Sequence, residues 1–116
     1  MVERRVKRSG ERDEALQYLV EAVADRSPVR AVALVDGAGK IVAGTGFARD
    51  LVGLARIAGH VARGEPCPEM ESVTEGTDIL VRAVWARGEP HYLAALGDRV
   101  VRMVEAGRRA ETILTS

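Results

Sequence analysis

Arg30-Ala-Val-Ala-Leu-Val-Asp36, then Gly37-Ala38-Gly39, then Lys40-Ile-Val-Ala-Gly44 is the stretch that decides the fold. In an extended chain successive side chains alternate, so Val32 and Leu34 point one way and Ala31, Ala33 and Val35 the other. Both faces are apolar, which predicts a central strand covered on both sides. Asp36 to Gly39 has turn composition. Lys40 to Gly44 then returns as the second strand of a hairpin.

Helices flank this hairpin. Upstream, Leu16, Leu19, Val20, Val23 and Ala24 share one face of a helix over 11–26, with Glu11, Asp13 and Glu14 in its first turn. Ser27-Pro28 stops it. Before it, Arg4, Arg5, Lys7 and Arg8 lie in a charged, aperiodic stretch, read as a flexible basic arm over 1–11 ahead of a single domain over 12–116. Downstream, Phe47 to Arg63 is a second helix, ended by Gly64-Glu-Pro-Cys-Pro68. Three strands are expected next: a weak one over Glu71 to Glu75, a strong one over Thr77 to Ala86, and one over Pro90 to Leu96. Gly97-Asp98 opens a last helix with Asp98 as N-cap and Val100, Met103, Val104, Gly107, Ala110 and Leu114 on its apolar face. The expected fold is α+β: a three-layer α/β/α sandwich around a five-stranded antiparallel sheet. Its element order is helix-strand-strand-helix-strand-strand-strand-helix.

Composition excludes several classes. Lys+Arg and Asp+Glu both number 17, so a polyanion-coating role has no charge to drive it and no nucleic-acid partner is expected. Aromatics are 3% of residues, too few for base-stacking platforms. No apolar run approaches the roughly 20 residues of a bilayer span, and no secretory signal opens the chain. A single cysteine forbids an intrachain disulfide, so a reducing, cytoplasmic home is expected.

The middle helix is the most informative about partners. At about 100° per residue, Phe47, Leu51, Leu54, Ile57, Ala58 and Val61 form an arc expected to dock on the sheet. Beside it runs a second strip: Ala48, Val52, Ala55, Gly59 and Ala62. The joint apolar arc is roughly 200°, about twice that of a helix with one buried face. Arg49, Arg56 and Arg63 take the solvated side. Gly53 and Gly59 each cost about 1 kcal/mol against Ala, a cost that makes sense where another backbone packs closely. The strip reads as a self-association surface, with a plain Ala-rich helix surface as the alternative.

Sites for chemistry are not found. GxxxxGK[ST] fails at Gly39-Lys40, where Leu34 and Ile41 stand at the positions of the first Gly and the hydroxyl. GxGxxG fails because Gly44-Thr-Gly46 is followed by Arg49. His60, Cys67 and His91 are too few and wrongly spaced for structural zinc, so neither metal nor cofactor is expected. Cys67, between two prolines, is read as an exposed loop thiol without a partner base. No serine has a nucleophile-elbow context and no carboxylates pair in an apolar setting, so no enzyme activity is expected. Trp85, alternating with Ile79, Val81 and Ala83, is expected in the core. Arg82, beside Leu80 and Val84, marks a sheet edge, a carboxylate pair, or a solvated head on a buried stem. The basic arm, with Arg12, and the arginines of the last helix (Arg99, Arg102, Arg108 and Arg109) read as solvated faces, or as docking sites for an acidic protein or membrane surface.

The segment Ala31 to Ala43 resembles the first hairpin of the roadblock family (dynein light-chain roadblock type), an apolar strand, Asp, a Gly turn and a short apolar strand. The element order from about Arg12 to Leu114 is similar too. The resemblance implies a non-enzymatic homodimeric or heterodimeric scaffold that regulates a small Ras-like GTPase or a polarity or motility protein. It implies second helices paired through Ala48, Val52, Ala55, Gly59 and Ala62, and third strands joined through Glu71, Ser72, Val73 and Thr74. Hairpins of this kind also occur in GAF and PAS domains, which leaves a small-ligand sensor as the alternative.

Overall fold

The computed structural model describes the backbone of residues 2–97 and 103–115 and the side chains of residues 11–97 and 103–115. Eight elements follow in order: α1 (Val2–Arg26), β1 (Val29–Asp36), β2 (Ile41–Thr45), α2 (Ala48–Ala62), α3 (Met70–Thr74), β3 (Ile79–Ala86), β4 (Glu89–Gly97) and α4 (Met103–Thr115). The expectation of a flexible arm falls mostly on residues whose side chains lie outside the described set; the backbone of α1 starts at Val2. The expected N-cap Asp98 and the apolar Val100 also lie outside the described residues.

The sheet is wholly antiparallel, in the order β2-β1-β4-β3. The two-sided apolar reading of β1 holds, since Ala31 to Val35 are all buried. Val32 and Leu34 join Leu93, Ala95 and Val84 under α1 and α4, which supply Leu16, Val20, Ala106 and Ala110. Ala31, Ala33 and Val35 join Tyr92, Ala94 and Leu96 under Leu54 and Ala58 of α2. Helices therefore cover both faces: α1 and α4 on one, α2 on the other. Asp36 builds the first turn: its Oδ1 accepts from the N–H groups of Ala38 (3.0 Å) and Lys40 (2.8 Å), and Gly39 takes φ +87°.

The sheet has four strands, not five. Residues 71–75, expected as the third strand, instead belong to the short helix α3 (Met70–Thr74) and its C-cap Glu75. The expected stretch 71–75 holds one large apolar residue, Val73, so no period can be read from it; Met70 and Val73, at i and i+3, fall on one face of the helix that forms. The stop is local: Glu75 and Gly76 both adopt positive φ, 51° and 81°, a left-handed helix ending.

The two sheet edges differ. On the β2 side, the Gln17 carboxamide of α1 donates to the Gly44 carbonyl (2.7 Å) and accepts from the Gly44 N–H (3.3 Å). A side-chain amide thus stands in for the next strand. On the β3 side no strand or carboxamide does this among the described residues.

Candidate interaction surface

α2 starts at Phe47, which is extended and offers no side-chain cap, and it ends at Arg63 before Gly64 (φ +67°). Leu54, Ile57 and Ala58 are fully buried, as the docking arc predicts. Phe47 departs from that arc: it is 75% exposed, because it precedes the first helical turn. Of the second strip, Ala48, Val52 and Ala62 are exposed and Ala55 and Gly59 are half-buried. Ala48, Val52 and Ala62 therefore form the open part of the strip, extended at its start by Phe47, whereas Ala55 packs against the cluster between α2 and the sheet and Gly59 lies beside Arg63 and Tyr92. The glycines need no second backbone. A Cβ at Gly53 would meet the Val73 side chain of α3 at 2.9 Å, and one at Gly59 the Arg63 guanidinium at 3.0 Å.

The residues expected for strand joining are elsewhere occupied. Val73 packs on Gly53 and its carbonyl lies 3.4 Å from Arg30 Nη2; Thr74 is buried; Glu71 and Ser72 are exposed on α3. A helix whose backbone bonds are internal has no free ladder to offer another sheet, so the strand-joining contact is overturned with the third strand.

Sequence reading missed the group that sets α2 on the sheet. Between Val29 and Ala31 the register to β4 slips, with Val29 opposite Gly97 and Ala31 opposite Leu96, so Arg30 is an inserted residue. The bulge puts Arg30 on the α2 face with Ala31, where alternation would have sent it to the other. Its Nε lies 3.2 Å from Asp50 Oδ2, and the side chains are 33% and 2% exposed. The two atoms lack hydrogen-bond alignment with each other and with any other partner among the described residues, so the contact is coulombic. Asp50 sits in the first turn of α2, where the helix dipole also favours a carboxylate.

The arginines expected on the solvated side are exposed and paired with the segment that follows. Arg49 meets Glu75 (3.5 Å), Arg56 meets Glu69 (3.9 Å) and Arg63 meets Glu65 (3.0 Å). Glu65 also accepts from His60 (3.0 Å). The hydrogen bond from Arg63, and after it that from His60, holds the Glu65 carboxyl below the usual carboxylate range. The same bond to Glu65 raises the Arg63 guanidinium further. Arg63 Nη1 donates to the Tyr92 hydroxyl (3.2 Å), linking this exposed cluster to the sheet. A groove of about 520 Å³ runs beside it between the first turn and α2, lined among others by Asp36, Ala55, Gly59, Arg63 and Tyr92.

Trp85 is not in the core: it is 58% exposed near the end of β3, beyond the reach of α2. Arg82 is exposed on an edge strand with its stem against Gly107 of α4, as the sheet-edge and solvated-head readings expect. Cys67 is half-buried. Among the described residues no cluster of three or more His, Cys, Asp or Glu could hold a metal ion, and no helix is long and apolar enough to cross a membrane. No family model matches the chain, and no curated protein or solved structure does either.

Proposed function

We propose that this chain is a non-enzymatic adaptor that works in the cytoplasm as a homodimer paired through α2, and that the pair binds a small Ras-like GTPase or another protein of a polarity or motility system. The observation carrying the dimer is the exposed apolar run on α2, Phe47, Ala48, Val52 and Ala62, on a helix whose sheet-facing Leu54, Ile57 and Ala58 are buried. Small side chains there let a second helix come close, while Phe47 and Val52 supply larger apolar area. The GTPase half of the reading rests on the hairpin and element order that resemble the roadblock family, less the third strand. The dimer is therefore assigned to α2 alone.

Light scattering on a sizing column tests it at micromolar concentration. The expected mass is twice 12.5 kDa. A monomer refutes the homodimer. Titration of the dimer with purified small GTPases, loaded with GDP or a GTP analogue, tests the second half, and no binding in either state refutes it. The groove beside α2 favours one other reading, a GAF/PAS-like sensor of a small ligand. A monomer whose thermal midpoint rises with a ligand in a small-molecule screen is its signature.

A further inference from the structure

We infer that the open edge of β3 is a docking site for an extended segment of a partner protein that carries a carboxylate opposite Arg82. The turn joining β3 to β4 fixes which backbone groups are free. Arg87 and Gly88 both have positive φ (53° and 78°), the signature of a two-residue hairpin loop flanked by the pair Ala86 and Glu89. That flanking pair exchanges hydrogen bonds, and bonded pairs alternate, so Val84, Arg82 and Leu80 bond to β4 and the N–H and C=O groups of Ile79, Val81, Ala83 and Trp85 point outward. The Trp85 N–H confirms the direction, since it donates to Glu111 Oε1 of α4 at 3.2 Å. Three residues with outward donors and acceptors remain, enough to add a strand.

The side chains say which strand. Trp85 and Leu80, two of the large exposed apolar residues, stand on opposite faces of this one edge, 58% and 39% exposed. Between them Arg82 is exposed, and no ion pair holds it among the described residues. A second copy is the poorer occupant. The two-fold register that sets Trp85 against the copy's Ile79 also sets Arg82 directly against its counterpart, and like charges directly opposed are destabilising; the register that sets Arg82 against the copy's Asp78 pairs only residues 78–82 and leaves Trp85 outside it. A foreign strand with Glu or Asp at that position and apolar residues on either side meets Arg82 with the opposite charge and lays its apolar side chains beside Val81 and Ala83. At the other edge the Gln17 carboxamide occupies both the N–H and the C=O of Gly44, whereas on β3 Glu111 takes only the Trp85 N–H, so β3 is the side with the longer free run. This surface is separate from α2, and its test does not depend on the dimer.

The test titrates the intact, isotope-labelled chain with two capped peptides, Thr-Val-Glu-Val-Thr and Thr-Val-Lys-Val-Thr, up to millimolar concentration. Saturating amide shifts at Ile79, Val81 and Ala83 are expected with the first peptide, and binding of the second weaker by about fivefold. Arg82→Glu should reverse the preference. Ala83→Pro removes one outward N–H without touching the ladder to β4, and should abolish binding of both. If that variant does not fold, the charge reversal at Arg82 carries the test. No shifts along β3, equal binding of the two peptides, or shifts confined to β2 overturns the proposal. So does a β3 edge that becomes protected from hydrogen exchange as protein concentration rises, with neither peptide able to enter it, because the occupant is then a second copy.

Discussion

Truncating Arg30 should cost more than truncating its partner, although the two make one contact. The Asp50 side chain is 2% exposed and the Arg30 side chain 33%. Arg30→Ala leaves a nearly buried carboxylate without its cation, beside the first turn of α2. Breaking a buried pair in this sense costs about 3–5 kcal/mol, and the lower end fits a cation that is itself partly solvated. Asp50→Ala leaves a guanidinium that already touches solvent, so about 1–2 kcal/mol is expected, part of it the lost carboxylate at the helix N-terminus. Urea unfolding at neutral pH reads the difference. With a slope of about 1.5 kcal/mol/M, Arg30→Ala should lower the midpoint by roughly 2 M and Asp50→Ala by roughly 1 M. Protein concentration is held fixed so that self-association does not enter. The double replacement Arg30→Met with Asp50→Leu should return to within about 1 kcal/mol of the parent, since an apolar pair needs no mutual neutralisation. Equal losses from the two single variants, or a loss below about 1 kcal/mol for Arg30→Ala, would refute the account of the pair.

Three further outcomes are expected. Val52→Arg should convert the dimer to a monomer with an unchanged far-ultraviolet spectrum, because Val52 is exposed on the open strip of α2; light scattering and circular dichroism check it, and a folded, dimeric variant excludes pairing through this strip. Gln17→Leu should cost about 1–3 kcal/mol in thermal unfolding and speed hydrogen exchange at Gly44, since the partly buried N–H and C=O of Gly44 lose their only partner across that edge. Arg63→Ala should return the Glu65 carboxyl toward its ordinary range in an NMR titration. Glu65 is depressed in the folded chain, so its contribution is present above the unfolded value and fades as pH falls through the folded one. A titration unchanged by the substitution would assign the shift to His60 instead.

The helices and the hairpin were legible because their periodicity runs long enough to discriminate. Leu16, Leu19, Val20 and Val23 repeat over two turns, and Ala31 to Val35 are apolar on both faces. Segment 71–75 was misread because it holds one large apolar residue, Val73, and a single position carries no period. Trp85 was misplaced for a different reason: alternation says which face a side chain takes, not whether its strand is central or at the rim. Arg30 was beyond reach of pattern reading altogether. A bulge shifts the phase by one residue and leaves no mark in composition, so the ion pair with Asp50 appears only when the β1 and β4 registers are compared. The unpacked strip on α2 was legible as a surplus of apolar positions, whereas the open β3 edge followed only from the strand order.

The Gln17 carboxamide has a consequence for the order in which the chain is made. Gln17 precedes Gly44 by 27 positions, so on a ribosome the group that shields the outer rim of the hairpin has emerged before the rim exists. The inner rim of β1 must wait far longer, because its partners Tyr92 to Gly97 lie far downstream in the chain. During that interval the nascent hairpin is shielded on one flank only, and the flank left bare is the one richest in alanine and valine. Pairings this distant in sequence form slowly. A Gln17 variant would therefore leave both flanks bare at once, and its harm would fall on yield during synthesis before it was visible in the stability of the finished fold.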